Sequence, residues 1–246
     1  MTSHIAQTIN MSVSLQDLIS GLVELEDYAL TELAVPVTGI QIDSRKLVSG
    51  DLFIAYFGRN HDARDYISAA LDHDVSAVLA ETGGEWQGLR IIRGKPVIAV
   101  DNLTAKISEI AARFYGRPSE SLTIFGITGT NGKTSIAYGA NKLFNLNGVR
   151  SCYIGTLGFY INSKKIKNLN NTTPSYFETL NLLQIANDNR IKFVFMEVSS
   201  IGYCEGRIGN LMYNYCILTN LESDHLDYHR SINNYHKAKV NLIKRH

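Results

Sequence analysis

The chain has 246 residues, 45% of them hydrophobic and 19% charged, with a formal net charge of +1 at pH 7. That balance excludes wholesale disorder and fibrous architectures, and the near-neutral charge argues against a generic nucleic-acid coat or a polybasic membrane binder. No stretch approaches the ~20 apolar residues that a membrane helix needs.

The amino-terminal MTSHIAQTINMSVSLQDLI lacks a basic start followed by an apolar core, so no signal peptide is expected. The three cysteines, Cys152, Cys204 and Cys216, form no C-x-x-C pair. They fit a reducing cytoplasm and argue against a disulfide framework or a structural zinc site. Acidic residues exceed basic ones up to residue 120, and basic ones exceed acidic ones beyond it. This shift suggests two modules, the second better suited to a polyanion such as a nucleoside triphosphate.

In chain order, SLQDLISG (14–21) predicts a short helix with Ser14 as its cap. VTGIQID (37–43) and DLFIAYFG (51–58) read as strands joined by a turn. ARDYISAALDHD (63–74) has helical spacing. SAVLAE (76–81) and KPVIAVD (95–101) read as strands, and LTAKISEIAARFYG (103–116) as a helix with a glycine stop. Arg117-Pro118-Ser119 reads as a junction. After it come a buried parallel strand, SLTIFGI (121–127), a glycine loop and the helix SIAYGANKLFNLNG (135–148). The polar stretch NSKKIKNLNNTTP (162–174) reads as a loop. RIKFVFMEV (190–198) and YNYCILTN (213–220) read as strands, and SINNYHKAKVNLIKR (231–245) as a helix. The fold class expected is α/β: a small α/β domain over 1–116, then a P-loop domain with a mainly parallel sheet over 117–246.

The sharpest motif is GITGTNGKTS, Gly126 to Ser135, set between strand and helix as a phosphate loop must be. Its spacing is G-x-x-G-x-x-G-K-T rather than the strict G-x-x-x-x-G-K-T. Backbone N–H groups from Gly129, Thr130, Asn131, Gly132, Lys133, Thr134 and Ser135 are placed to cradle phosphates at a helix amino terminus. Lys133 is expected on the β- and γ-phosphates and the Thr134 hydroxyl on Mg²⁺. Glu197, ending the run FVFMEV, stands at the carboxyl end of a parallel strand, where α/β sheets bind ligands and where it could hold Mg²⁺. Ser199 and Ser200 follow at the same crevice. Asp224, His225, Asp227 and His229 crowd the loop TNLESDHLDYH (219–229). No H-E-x-x-H pattern supports zinc there. His229 and His236 are expected to be solvated surface residues; the role of His225 follows from a family resemblance.

Five blocks resemble the Mur ligase family: DSRKLVSGDLFIAYFG (43–58), GITGTNGKTS (126–135), NTTP (171–174), MEVSS-x-G (196–202) and TNLESDHLDYH with YHKAK (219–239). The combination of DSR, NTTP and MEVSS is similar to the branch that adds the third amino acid of the peptidoglycan stem. The resemblance implies a cytoplasmic, ATP- and Mg²⁺-dependent amide ligase of cell-wall precursor synthesis. It would join a diamino acid, meso-diaminopimelate by family usage, to UDP-N-acetylmuramoyl-L-alanyl-D-glutamate through an acyl phosphate. It implies catalytic roles for Lys133, Glu197, His225 and Lys239, with Thr134, Glu197, His225 and Lys239 around metal and Lys239 carbamylated. A carbamate is anionic and can accept a metal, whereas a free lysine is cationic at pH 7. It implies a UDP-binding first domain and UDP-sugar-peptide contacts from Ile42, Ser44, Asn171, Thr172, Thr173, Ser199, Glu205 and Arg207.

Arg59-Asn60-His61 stands where the family often carries His-Gln-Ala, Ile201 where it has His, and Glu205 where Gln is common. The added charge at Glu205 would weaken binding of an anion unless it is paired. The family has three domains and is close to twice this length. The resemblance therefore implies that the carboxyl-terminal domain is absent, that the central sheet has an exposed edge, and that the isolated chain does not complete the ligation. A folylpolyglutamate synthase-like ligase and an inactive fragment that binds only the UDP ligand or nucleotide are the alternatives. A P-loop GTPase is disfavoured because no N-K-x-D type motif is present.

Overall fold

A computed structural model describes residues 11–23, 33–58 and 61–244. They fall into two compact units that divide at Gly116 and Arg117.

In the first unit β1 (Val13–Ser14) pairs antiparallel with β2 (Pro36–Val37), and α1 (Leu15–Ile19) follows β1. Ser14 occupies the cap position of α1, but its side chain makes no capping bond. The main sheet comprises β3 (Gly39–Gln41), β4 (Asp51–Ala55), β5 (Ala77–Glu81), β6 (Leu89–Ile92) and β7 (Lys95–Val100), in the order β3-β4-β5-β7-β6. All pairings are parallel except β6 with β7. Every residue of β4 is buried, as expected of a strand covered on both faces. Its neighbours Val78 and Ala80 pack with Phe53, Ile67 and Leu71 in one cluster.

The strand expected over 37–43 is interrupted at Thr38, whose amide donates to the Gly50 carbonyl at 2.9 Å. The segment 63–74 opens with a 3₁₀ turn, Ala63–Tyr66, before α2 (Ile67–Asp72). The helix α3 (Leu103–Phe114) ends at Gly116, which has φ +67°. Sequence reasoning missed β6, a short, half-exposed strand flanked by Gly88 and Gly94, both with positive φ.

The second unit runs through β8 (Thr123–Thr128), α4 (Lys133–Leu146), β9 (Ser151–Gly155), β10 (Gly158–Ile161), β11 (Lys164–Lys167), α5 (Tyr176–Asp188), β12 (Phe193–Glu197), α6 (Ser200–Cys204), β13 (Tyr215–Leu218), α7 (Leu226–His229) and α8 (Ile232–Ile243). The sheet order is β11-β10-β9-β12-β8-β13. The four strands β9, β12, β8 and β13 run parallel, and β10 and β11 add an antiparallel edge. The segment expected to be a loop over 162–174 therefore contains a strand. Three exposed lysines, Lys164, Lys165 and Lys167, masked it in the sequence. Charge of this kind blunts a sheet edge against unwanted pairing.

The helix α5 was also unforeseen, although Ser175 and Glu178 carry the S-x-x-E start signal. Ser175 Oγ accepts from the Glu178 amide at 3.3 Å. One face of the sheet packs Ile127, Tyr153 and Phe195 against Ala137 and Phe144 of α4. This fixes α4 directly beyond the carboxyl end of β8.

Candidate functional site

The glycine loop joins β8 to α4, and Gly132 is the residue before the first helical turn, with φ +81°. The first-turn amides of Lys133, Thr134 and Ser135 have no acceptor within the helix, and the helix dipole adds to their pull on anions. Gly129 has φ +148°, and a Cβ there would stand 1.8 Å from Thr219 Oγ1. Only glycine permits this approach. The loop is clamped from the end of β13. Asn220 Oδ1 accepts the amides of Thr130 (3.0 Å) and Asn131 (2.9 Å). Thr219 Oγ1 donates to the Asn131 carbonyl at 2.5 Å, and Asn131 Nδ2 donates to Glu222 at 3.0 Å. Thr130 Oγ1 accepts from the Glu222 amide (3.0 Å) and the Tyr235 hydroxyl (3.1 Å).

Two lysines converge on one carbonyl. Lys133 Nζ donates to Gly129 O at 2.8 Å and to Thr130 O at 3.0 Å. Lys239 Nζ, from α8, donates to Gly129 O at 2.6 Å and lies 4.4 Å from the Tyr235 ring centre. Lys239 is 2% exposed, a buried group at the phosphate loop. Burial, then repulsion from Lys133, lowers its pKa to about 8, against the pull of Asp224. Burial also lowers the pKa of Lys133, opposed by Glu197 and Asp224.

Glu197 ends β12 fully buried. Its Oε2 accepts Thr134 Oγ1 at 2.9 Å and Thr156 Oγ1 at 3.2 Å. Its Oε1 accepts the Tyr153 hydroxyl and the Thr156 amide. Burial, then this carboxylate, pushes the Tyr153 phenol above its ordinary pKa. Thr134 and Glu197 thus bring hard oxygen donors together beside the phosphate loop, which suits Mg²⁺ better than a softer metal. No group of three His, Cys, Asp or Glu able to hold a metal occurs among the described residues. The fit is that of an ion completed by phosphate oxygens and water rather than of an all-protein cage.

His225 sits apart, in an exposed αL turn, with Nε2 3.5 Å from the Asp224 carboxylate and its ring centre 6.4 Å from that of Tyr235. The expectation of a solvated His229 is overturned. His229 is 5% exposed, Nε2 lies 3.0 Å from Ser200 Oγ, and its ring meets those of Tyr228 and Tyr235. Packing of α7 and α6 against α8 draws it inward, and burial, then the positive charges of His225 and Lys239, lowers its pKa. His236 is half-buried beside the Glu222 carbonyl, 3.2 Å away.

The NTTP residues part company. Asn171 is exposed, and Thr172 Oγ1 lies 3.0 Å from Thr156 Oγ1. Thr173 is buried, with its hydroxyl bonded to Glu197 O (3.2 Å) and accepting the Ser199 amide (2.8 Å). Ser199 caps α6, accepting from the Gly202 amide at 3.0 Å. Arg207 pairs with Glu205 and donates to Thr173 O at 3.2 Å, so the extra charge at Glu205 is compensated within the chain. In the first unit, Ile42, Ser44, Tyr56, His61 and Tyr66 line a cleft of about 510 Å³. Arg59 and Asn60 lie outside the described residues. Sequence reasoning missed Tyr153, Thr156 and Tyr235 as site residues. Thr219 and Asn220 are in the sequence only a polar pair ending a strand, and their role on the loop comes from the fold.

Residues 127–246 match the family description "Mur ligase middle domain", and residues 36–115 match "Mur ligase family, catalytic domain". The UDP-N-acetylmuramoyl-L-alanyl-D-glutamate–2,6-diaminopimelate ligase of Coxiella burnetii is 40% identical over 228 residues, covering 92% of this chain and 45% of that protein. The ligase of the same name from Buchnera aphidicola is 38% identical over 213 residues, covering 85% and 42%. A solved structure of a UDP-N-acetylmuramoyl-L-alanyl-D-glutamate–2,6-diaminopimelate ligase superposes with TM-score 0.73 at 27% identity, covering 94% of this chain and 45% of that one. The chain spans less than half the length of these relatives. Two family domains matched in tandem, with relatives of this similarity across most of the sequence, show that the chain belongs to the Mur ligase family.

Proposed function

We propose that this chain carries the nucleotide-binding and UDP-sugar-peptide-binding parts of an ATP-dependent ligase that adds meso-diaminopimelate to UDP-N-acetylmuramoyl-L-alanyl-D-glutamate. The observation that carries the reading is the phosphate loop, with Lys133 and Lys239 converging on Gly129 and with Thr134 bonded to Glu197. The second unit is the ATP-binding domain and the first unit the UDP-binding domain, its cleft at Ile42 and Ser44 receiving the uridine end.

The acceptor carboxylate is a poor acyl donor, and transfer of the γ-phosphoryl group gives it a leaving group. The diamino acid amine then displaces phosphate. The amides of Lys133, Thr134 and Ser135 hold the phosphates at the head of α4, and Lys133 neutralises the charge that develops in transfer. Thr134 and Glu197 hold Mg²⁺, which when bound supplies further charge neutralisation on the phosphates. Arg207 meets an anionic part of the UDP ligand, with Thr173 and Ser199 shaping the loops around it.

Lys239 is set up for carbamylation. At pH 7.5 a lysine of pKa about 8 is roughly one-quarter neutral, against roughly one part in a thousand for an ordinary one. Only the neutral amine attacks CO₂. The N–C bond forms as one amine proton leaves to solvent, and the resulting carbamate would be an anion and a further oxygen donor at the loop where Nζ now meets Gly129 O at 2.6 Å.

The test is calorimetric titration of the chain with Mg–ADP and with UDP-N-acetylmuramoyl-L-alanyl-D-glutamate, using a folate as control. Saturable binding of both, lost for ADP in Lys133→Ala and weakened for the UDP ligand in Arg207→Ala, is the expected result. A folded sample that binds neither, or that binds the folate instead, overturns it.

A further inference from the structure

Glu197 is a carboxylate withdrawn wholly from water, and such a group needs donors from the protein. Its two oxygens are held differently. Oε1 is closed by a backbone amide, Thr156 N at 3.2 Å, and by the Tyr153 hydroxyl. That phenol has no room to turn. Tyr153 is fully buried in β9, edge-to-face with Tyr138 at 5.3 Å and Tyr160 at 5.9 Å, and its oxygen accepts the Leu157 amide at 3.2 Å. Oε2 is met by two threonine hydroxyls, Thr134 and Thr156, whose protons rotate and whose oxygens can become ligands. Tyr138 and Thr134 lie one helical turn apart on α4. The helix that presents Thr134 is thus the one that packs on the Tyr153 ring, so one aromatic cluster sets both the strand-end acid and the helix-start hydroxyl.

We propose that Tyr153 is a positioning residue for the Mg²⁺ site, locking Glu197 Oε1 so that the acid meets the ion through Oε2, beside Thr134 Oγ1. The inference rests on the reading of Thr134 and Glu197 as the residues that hold Mg²⁺. Without the phenolic hydrogen, Oε1 keeps one donor and the carboxylate is free to rotate about its last bond. Supports of this kind behind a metal ligand typically change metal affinity by about 10- to 100-fold when removed.

The experiment measures binding of a fluorescent ADP analogue to the full chain as Mg²⁺ is titrated, in wild type, Tyr153→Phe and Glu197→Gln. Tyr153→Phe keeps the ring and its packing and deletes only the donor. It is expected to bind metal-free ADP within about twofold of wild type and to need about tenfold more Mg²⁺ for half-maximal tightening. An unchanged Mg²⁺ requirement in Tyr153→Phe, with Glu197→Gln unresponsive to Mg²⁺, overturns the positioning role alone. A wild type that ignores Mg²⁺, or a Glu197→Gln that still responds, removes the metal reading and this inference with it. Equal losses with and without Mg²⁺ mark Tyr153 as a support of the fold and overturn the inference. Should Tyr153→Phe not fold, the half-buried Tyr138→Leu loosens the ring while keeping the hydroxyl. It is held to the same criterion: a raised Mg²⁺ requirement with metal-free binding retained.

Discussion

Replacing Lys239 by methionine measures the cost of holding its charge at the phosphate loop. Methionine keeps the length of the side chain and fills the space without a charge. Lys239 is 2% exposed, and burial followed by Lys133 repulsion brings its pKa from 10.5 to about 8. The unfolded chain keeps the ordinary value. Between pH 8 and 10.5 the unfolded state therefore holds more protons than the folded state, and rising pH favours folding. Below pH 8 both states are protonated, and the penalty is constant and complete. At about 1.4 kcal/mol per pH unit, the interval amounts to about 3 kcal/mol. The assay is urea unfolding of wild type and Lys239→Met in CO₂-free buffers from pH 6 to 10.5. Subtracting the two stabilities removes the titration of groups that do not sense the Lys239 charge; His229 and Lys133, which do, add to the difference. The stability of wild type relative to Lys239→Met is expected to stay level up to about pH 7.5 and then climb by about 3 kcal/mol towards pH 10.5. A difference that is flat across the whole range would refute the claim that Lys239 is buried as an ammonium at an energetic cost.

Three further outcomes are expected. Gly129→Ala places a methyl 1.8 Å from Thr219 Oγ1 at φ +148°, so the loop must shift, and ADP titration should show at least about tenfold weaker binding; wild-type affinity would contradict the geometry. Glu81→Ala removes the carboxylate that accepts the amides of Leu103 (2.9 Å) and Thr104 (3.2 Å) at the start of α3, at a cost of about 1–2 kcal/mol in urea unfolding. An unchanged midpoint would show that water replaces the carboxylate there. Glu205→Gln releases Arg207 from its partly exposed ion pair, and calorimetry should report about two- to fivefold tighter binding of the UDP ligand, the worth of such a pair; weaker binding would mean that Glu205 itself touches the ligand.

Legibility in the sequence followed the physics of each segment. The phosphate loop was readable because glycines, a Lys-Thr pair and a strand–helix frame leave few other uses for that pattern. The parallel strands β8, β12 and β13 were readable as apolar runs, and Glu197 stood out as an acid ending one of them. The equally buried β9 and its partner β10 were not expected, because each is a run of only four or five residues interrupted by glycine and threonine at 155–158. Lysines concealed β11, flanking glycines concealed β6, and α5 was not expected although Ser175 and Glu178 announce it. The fate of His229 could not be read from a polar loop, because α6, whose Ser200 meets it, is 29 residues away in sequence. Lys239 and its neighbour Lys237 look alike in the chain; only the fold buries one and exposes the other. Tyr153 sits in the apolar run CYI, where a tyrosine reads as core, and its hydroxyl gains meaning only when β12 is laid beside β9.

The meeting of two ammonium groups on the Gly129 carbonyl has a consequence for the order of events at this loop. An anion drawn to Lys133 relieves the repulsion that depresses the proton affinity of Lys239. Ligand arrival and proton uptake then become a single linked process, with the proton taken from buffer near pH 8. Under the carbamylation proposed above, CO₂, which needs the neutral amine, would meet Lys239 more readily before an anion enters the loop than after it.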